Sequence, residues 1–153
     1  MTPDPQPALT RIHQLMAPWV ARTPDAPAVR DAHLSLSYAQ LDAAAHRVQA
    51  HLEGLGLRPG DRLLVVGENC VALCVLVLAA SRMDVWSVVA NARLSDREID
   101  LFIAHAQPRR VLYTPHVSPE AARHAERHGA SHQAWPVLGN LPAGALSTTA
   151  VPE

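Results

Sequence analysis

The sequence predicts an α/β fold, a mostly parallel sheet with helices on both faces and a small β-hairpin near the N-terminus. Three observations predict it. Strand-like and helix-like segments alternate about three times between Arg62 and Gly129, the pattern of a parallel sheet covered by helices through right-handed crossovers. One strand segment, Arg62-Leu-Leu-Val-Val-Gly67, is apolar on both faces, as a central parallel strand needs. Two helix starts, at Ser37 and Ser95, carry complete capping boxes.

The bulk numbers bound the class. At 153 residues the chain fits one domain with a real core, and 48% hydrophobic with 18% charged residues describes a globular protein. A net charge of −1 gives no electrostatic reason for nucleic acid or an anionic membrane as partner. The start, Met1-Thr-Pro-Asp-Pro-Gln-Pro7, lacks the basic and apolar regions of a secretory signal. The longest apolar run, Cys70 to Ala80, is too short to span a bilayer and reads as a buried helix. Cys70 and Cys74 in that run read as two buried thiols, and a cytoplasmic setting is expected.

In order along the chain, Ile12, Leu15, Met16, Trp19 and Val20 recur at helical spacing, so the first helix has an apolar face, with Pro18 expected to kink it. Ala28-Val-Arg30 and a strand from Leu34 form the hairpin, turned at Asp31-Ala-His33. Ser37 with Gln40 opens the second helix, stapled by Leu36 and Leu41, with Leu41, Ala44, Ala45, Val48 and Leu52 as its core face. Pro59-Gly60 turns into the Arg62 strand. Asn69 is the expected cap of the apolar helix, and Val85 to Ala90 is the next strand. Ser95 with Glu98 opens a helix facing inward through Ile99, Phe102, Ile103 and Ala106; Arg110 to Tyr113 is a short strand; Ser118-Pro119-Glu120 opens a last helix. From residue 131 the composition reads as loop or disordered tail. The expected organisation is a flexible N-terminus over 1–8, an α/β subdomain over 9–130 and the tail over 131–153.

Groups with chemical potential read as scaffold. The turn Val66-Gly67-Glu68-Asn69 has one glycine beside an acidic residue, without a glycine-rich phosphate loop, so a structural corner is the better reading. His124 and His128 stand at i and i+4, a metal-ligand spacing, yet among Arg123, Glu126 and Arg127 they read as a solvated polar face. Ser37, Ser95 and Ser118 are explained as caps, and Asp96, Glu98 and Asp100 as acids at a helix start. No catalytic, cofactor-binding or metal residue is assigned.

Leu36-Ser-Tyr-Ala-Gln-Leu41 resembles the Leu-(Thr/Ser)-Tyr-x-Glu-Leu motif of AMP-forming adenylating enzymes (acyl-CoA synthetases, luciferases and peptide-synthetase adenylation domains), with Gln40 in place of Glu. Gly56 to Asp61 followed by Asn69, and then Asn91, Arg93, Leu94 and Glu98, fit later blocks of that family in order. Asp84 stands where the family has Gly, and Ala90 and Ala92 replace prolines. The resemblance runs from about Arg22 to Tyr113. It implies the start of the large domain of an AMP-dependent acyl-CoA ligase, with ATP, Mg²⁺, coenzyme A and a carboxylic acid as the partners of a full-length relative. The family's Ser/Thr/Gly-rich phosphate loop is not matched by Ser147-Thr-Thr149. The expected function is therefore an N-terminal fragment of such a ligase, inactive on its own. The alternative is a non-catalytic relative acting as an interaction module, with a homo-oligomer or a partner chain formed through the open sheet edge.

Overall fold

The computed structural model describes residues 9–143. The expected flexible segment 1–8 and the tail beyond 143 lie outside the described residues. A short 3-10 turn, Ile12–Met16, leads into α1 (Ala17–Arg22), and β1 (Pro27–Arg30) pairs antiparallel with β2 (Ser35–Ser37). Then follow α2 (Tyr38–Gly54), β3 (Arg62–Gly67), α3 (Val71–Arg82), β4 (Trp86–Asn91), α4 (Asp96–Ala106), β5 (Arg110–Tyr113), α5 (Pro119–Arg127), β6 (Ser131–Trp135) and β7 (Gly139–Ala143). The main sheet has the order β4-β3-β5-β7-β6. β4, β3 and β5 run parallel, whereas β7 is antiparallel to both β5 and β6.

The two-faced apolar pattern of β3 sets the layering. Leu63 and Val65, with Leu112 of β5, pack under α2 and α3; Leu64 and Val66, with Val111 and Tyr113, pack under α4 and α5. Each side chain fully buried in this way contributes about 1.5–3 kcal/mol. The α2 face is Leu41, Ala44, Ala45, Val48 and Leu52, all buried. Its start is local chemistry: Ser37 Oγ accepts from the Gln40 N–H at 3.3 Å, and Gln40 Oε1 accepts from the Ser37 N–H at 2.9 Å. Ser95 and Glu98 do the same for α4.

Four expectations are corrected. Pro18 does not kink a continuous helix. It occupies the first turn of α1, where its missing N–H costs nothing, and the preceding turn is 3-10. Asn69 is not the cap of α3. Cys70 holds that position without a side-chain bond, and Asp31 Oδ2 of the hairpin turn accepts the Val71 N–H at 2.8 Å. Cys74 is exposed while Cys70 is buried, and both are free thiols. Residues 131–143, read as loop or tail, form the β6–β7 hairpin. Trp135 and Leu138, at 4% and 8% exposure, anchor it in the α2/α3 core, and Val137 and Gly139 turn it at φ of 71° and 70°. That anchoring is tertiary, so a polar, proline-containing segment takes strand form that its composition does not announce.

Candidate functional site at the carboxyl ends of the parallel strands

From β3 the chain crosses to β4 on one side and then to β5 on the other, so the β3/β5 rim is where connections diverge. Open α/β sheets take ligands at such a point, outside the carboxyl ends of their strands. Three loops meet there: Gly67-Glu68-Asn69, Asn91-Ala92-Arg93 and Thr114-Pro115-His116.

Glu68 and Arg93 join the first two loops by a forked pair, Nε to Oε1 at 3.1 Å and Nη2 to Oε2 at 3.2 Å. Asn91 Oδ1 accepts the Arg93 N–H at 2.9 Å and fixes the turn that aims the guanidinium. The Arg93 hydrogen bond holds the Glu68 carboxyl below the usual carboxylate range, with Ser118 helping, and Glu68 in turn raises Arg93. Thr114 is fully buried, and its Oγ1 has no hydrogen-bond partner among the described residues. The Thr114 side chain fills the space that a Cβ on Gly67 would need.

On the α3 side of the rim, Asp31, His33, Leu34, Ala72, His116 and Leu138 line a cavity of about 200 Å³. Burial pulls the Asp31 carboxyl upward, but backbone donors from Val71, His33 and Leu34, at 2.8, 2.7 and 2.8 Å, outweigh it and hold it below its ordinary range. Burial lowers His116, and the neighbouring His33, with ring centroids 5.9 Å away, adds to that against the pull of Asp31.

The residues present do not fit a nucleotide phosphate. The first N–H of α3 is already taken by the Asp31 carboxylate, Glu68 brings a second negative charge, and Arg93 is bound to Glu68. This rim can bind loops together; among the described residues it holds no assembled acid, base and nucleophile in hydrogen-bond reach of one another.

His124 and His128, expected on a solvated face, are instead structural. His124 is fully buried, its Nε2–H shared by the carbonyls of Ala92 at 3.1 Å and Leu94 at 3.2 Å. The α4–α5 packing requires this, since those carbonyls end the β4 loop and need a donor. His128 follows α5, accepting at Nδ1 from the Tyr113 hydroxyl at 2.7 Å and donating from Nε2 to Asp100 at 3.0 Å. Among the described residues, no group of three or more His, Cys, Asp and Glu is placed to hold a metal ion. Composition of α5, rich in Arg and Glu, hid the burial of His124; its spacing to the β4 loop is set only by the fold.

Asp100 gives a pH-dependent expectation. Arg127 grips both its oxygens, at 2.6 and 3.1 Å, and with His128 pulls the carboxyl down to about 2. The folded value lies below the unfolded one of about 3.9. The stabilisation is therefore complete above about pH 4 and is lost as pH falls towards 2. Urea midpoints of wild type and Asp100→Asn should differ at neutral pH and converge over that window. A difference that is independent of pH would contradict the role given to Arg127.

With that geometry in place, the comparisons with known proteins are informative. The profile of the AMP-binding enzyme family matches residues 16–149. A feruloyl-CoA synthase of Amycolatopsis sp is 32% identical over 139 residues, covering 88% of this chain and 26% of the relative. A 2-hydroxy-7-methoxy-5-methyl-1-naphthoate–CoA ligase of Streptomyces carzinostaticus is 30% identical, covering 70% of this chain and 19% of that protein. Among solved structures, a fatty acyl CoA synthetase of Mycobacterium tuberculosis superposes with a TM-score of 0.69 at 23% identity, over 79% of this chain and 24% of that one. At that identity the likeness shows the fold. The chain thus spans about a quarter or less of the length of these relatives. On the family match over most of its length, the chain belongs to the AMP-binding enzyme family.

Proposed function

We propose that this chain is the N-terminal portion of an AMP-forming acid–thiol ligase, the class that activates a carboxylic acid with ATP and passes the acyl group to coenzyme A. The observation that carries this reading is the family match over residues 16–149 combined with coverage of about a quarter of the feruloyl-CoA synthase. The named relatives include ligases for aromatic and for long-chain fatty acids, and one of those two acid classes is the expected substrate. The chain's own part is mechanical. Its sheet is clamped at the carboxyl rim by Glu68–Arg93 and by Asp31 on α3, giving a rigid wall beside which residues outside these 153 would hold ATP, Mg²⁺ and acid. Such supporting elements matter because reacting groups need placement to a fraction of an ångström.

The test is carboxylate-dependent exchange of labelled pyrophosphate into ATP. The isolated 153-residue chain should give no exchange above a no-protein control with ferulate or a fatty acid. The polypeptide recovered from its native source should be about four times heavier and should give exchange. Exchange by the isolated chain would overturn its scaffold role, and a native polypeptide of this size without exchange would overturn the ligase reading. A second reading, a non-catalytic interaction module, is favoured by one observation: among the described residues β4 lies at an edge of the sheet and holds no charged residue.

A further inference from the structure

We propose that the N-terminal arm, residues 11–22, is an acid-released strap: protonation of His13 breaks its contact with Ser81 and frees the arm from the end of α3. This goes beyond the ligase reading and does not depend on it, since it rests on how the arm is held.

The arm is docked mainly by polar groups. Its apolar stripe of Ile12, Leu15 and Trp19 stays half exposed, while Met16 packs against the α2/α3 core. Arg11 pairs with Asp84, just past α3. The His13 N–H donates to Ser81 Oγ at 3.2 Å, and His13 Nδ1 lies 3.0 Å from the same oxygen. Trp19 stacks on Tyr38 with ring centroids 5.9 Å apart. Two cavities flank the arm. One, of about 690 Å³, is lined by His13, Ala17, Pro18, Asp42 and Arg82; the other, of about 550 Å³, by Arg11, Ile12, Ser81, Asp84 and Trp86. A segment with so little apolar burial opens locally while the core stays closed.

The Ser81 hydroxyl serves both His13 groups only while the ring is neutral. It then accepts the backbone N–H and gives its own proton to the Nδ1 lone pair. A protonated ring has no lone pair, so the hydroxyl proton loses its acceptor and a cation stands beside Arg82. The charged groups facing the ring are Arg82 and Asp84 from the end of α3, Arg11 from its own turn, and Asp42 from α2 across the cavity. Both acids are already engaged: Asp84 by Arg11, and Asp42 by Arg82 at 3.2 Å. Arg82 also donates to His46 Nε2 on α2, so the guanidinium is fixed in place. Burial, then Arg82 and Arg11, hold the His13 ring below the ordinary histidine value, against the pull of the Ser81 backbone and Asp84. The docked value therefore lies below the free one of 6.5. Docking is fully stabilised above about pH 6.5 and weakens as pH falls below it. Release parts Trp19 from Tyr38 and opens the larger cavity, uncovering the α2 and α3 walls at Asp42 and Arg82.

Hydrogen exchange of the 153-residue protein, read on peptides covering 11–22 and corrected for the intrinsic pH dependence of exchange, tests this. The expected result is a loss of protection in 11–22 between about pH 8 and about pH 5, either side of the ordinary histidine value, with β3 still protected. His13→Asn keeps an acceptor near the Nδ1 position and cannot be protonated, so its arm should be equally protected at both pH values. Ser81→Ala removes the partner and should leave the arm open at both. Equal protection of the wild-type arm at the two pH values overturns the proposal. So does a pH dependence that survives His13→Asn, and so does a Ser81→Ala arm as well protected as wild type at the higher pH. A loss shared by β3 is general unfolding and overturns it as well.

Discussion

Replacing Asp61 with alanine is expected to destabilise the fold by about 3 kcal/mol, the order of the cost of breaking a buried ion pair. Asp61 is fully buried in the turn ahead of β3. Its Oδ2 accepts the Arg58 N–H at 2.9 Å and the Arg109 Nε–H at 3.3 Å, and its carbonyl accepts the Trp86 N–H at 2.9 Å. One residue thus ties together the turn into β3, the residue before β5 and the first rung of β4. In Asp61→Ala the Arg109 guanidinium, only 19% exposed, loses its carboxylate, and the turn loses the acceptor for Arg58. Against a typical domain stability of about 5–15 kcal/mol, that leaves a protein close to unfolding. Asp61→Asn keeps an acceptor for the turn and should cost less than alanine. Urea titration of the three proteins decides: an alanine variant within about 1 kcal/mol of wild type, the size of a neutral hydrogen bond, would mean that Asp61 is only a turn acceptor.

What was legible in the sequence is what neighbouring residues decide. The capping boxes of Ser37–Gln40 and Ser95–Glu98 close within one helical turn, so the starts of α2 and α4 followed from the residues alone. β3 was legible because burial on two faces leaves no polar residue from Leu63 to Val66. The features that escaped depend on distant partners. Asp31 reaches Val71 across 40 positions, and His124 reaches Ala92 across 32. The β6–β7 hairpin is anchored by Trp135, whose ring lies 4.4 Å from that of His51 on α2. Periodicity also overstated the N-terminal helix. Ile12, Leu15 and Trp19 form the expected stripe, yet all three stay half exposed, while Met16 packs on the core and Trp19 stacks on Tyr38 at 5.9 Å. The rim lacked a sequence signature because its parts come from three loops, each ordinary by itself.

Gly67→Ala is expected to cost about 1–3 kcal/mol, the range for overpacking a filled interior. An added Cβ would stand 2.2 Å from Thr114 Oγ1, 3.1 Å from its Cγ2 and 3.2 Å from its Cβ. Rotating the threonine replaces one clash with another, because all three atoms crowd the same point. Thr114 is also fully buried, and its N–H is bound to the Val66 carbonyl at 3.2 Å, so neither side chain nor backbone yields easily. Removing Thr114 should relieve the clash: in a Thr114→Ala background, Gly67→Ala should cost less by a coupling of about 0.5–3 kcal/mol. This cycle separates two reasons for a glycine at the end of a parallel strand. A glycine kept so that a ligand can approach the backbone is indifferent to Thr114, and its replacement costs affinity more than stability. One kept for packing costs stability and is rescued at position 114. If the alanine penalty is the same with threonine or alanine at 114, the packing explanation falls, and the β3/β5 rim should be reopened as a place where something outside these residues comes close to the chain.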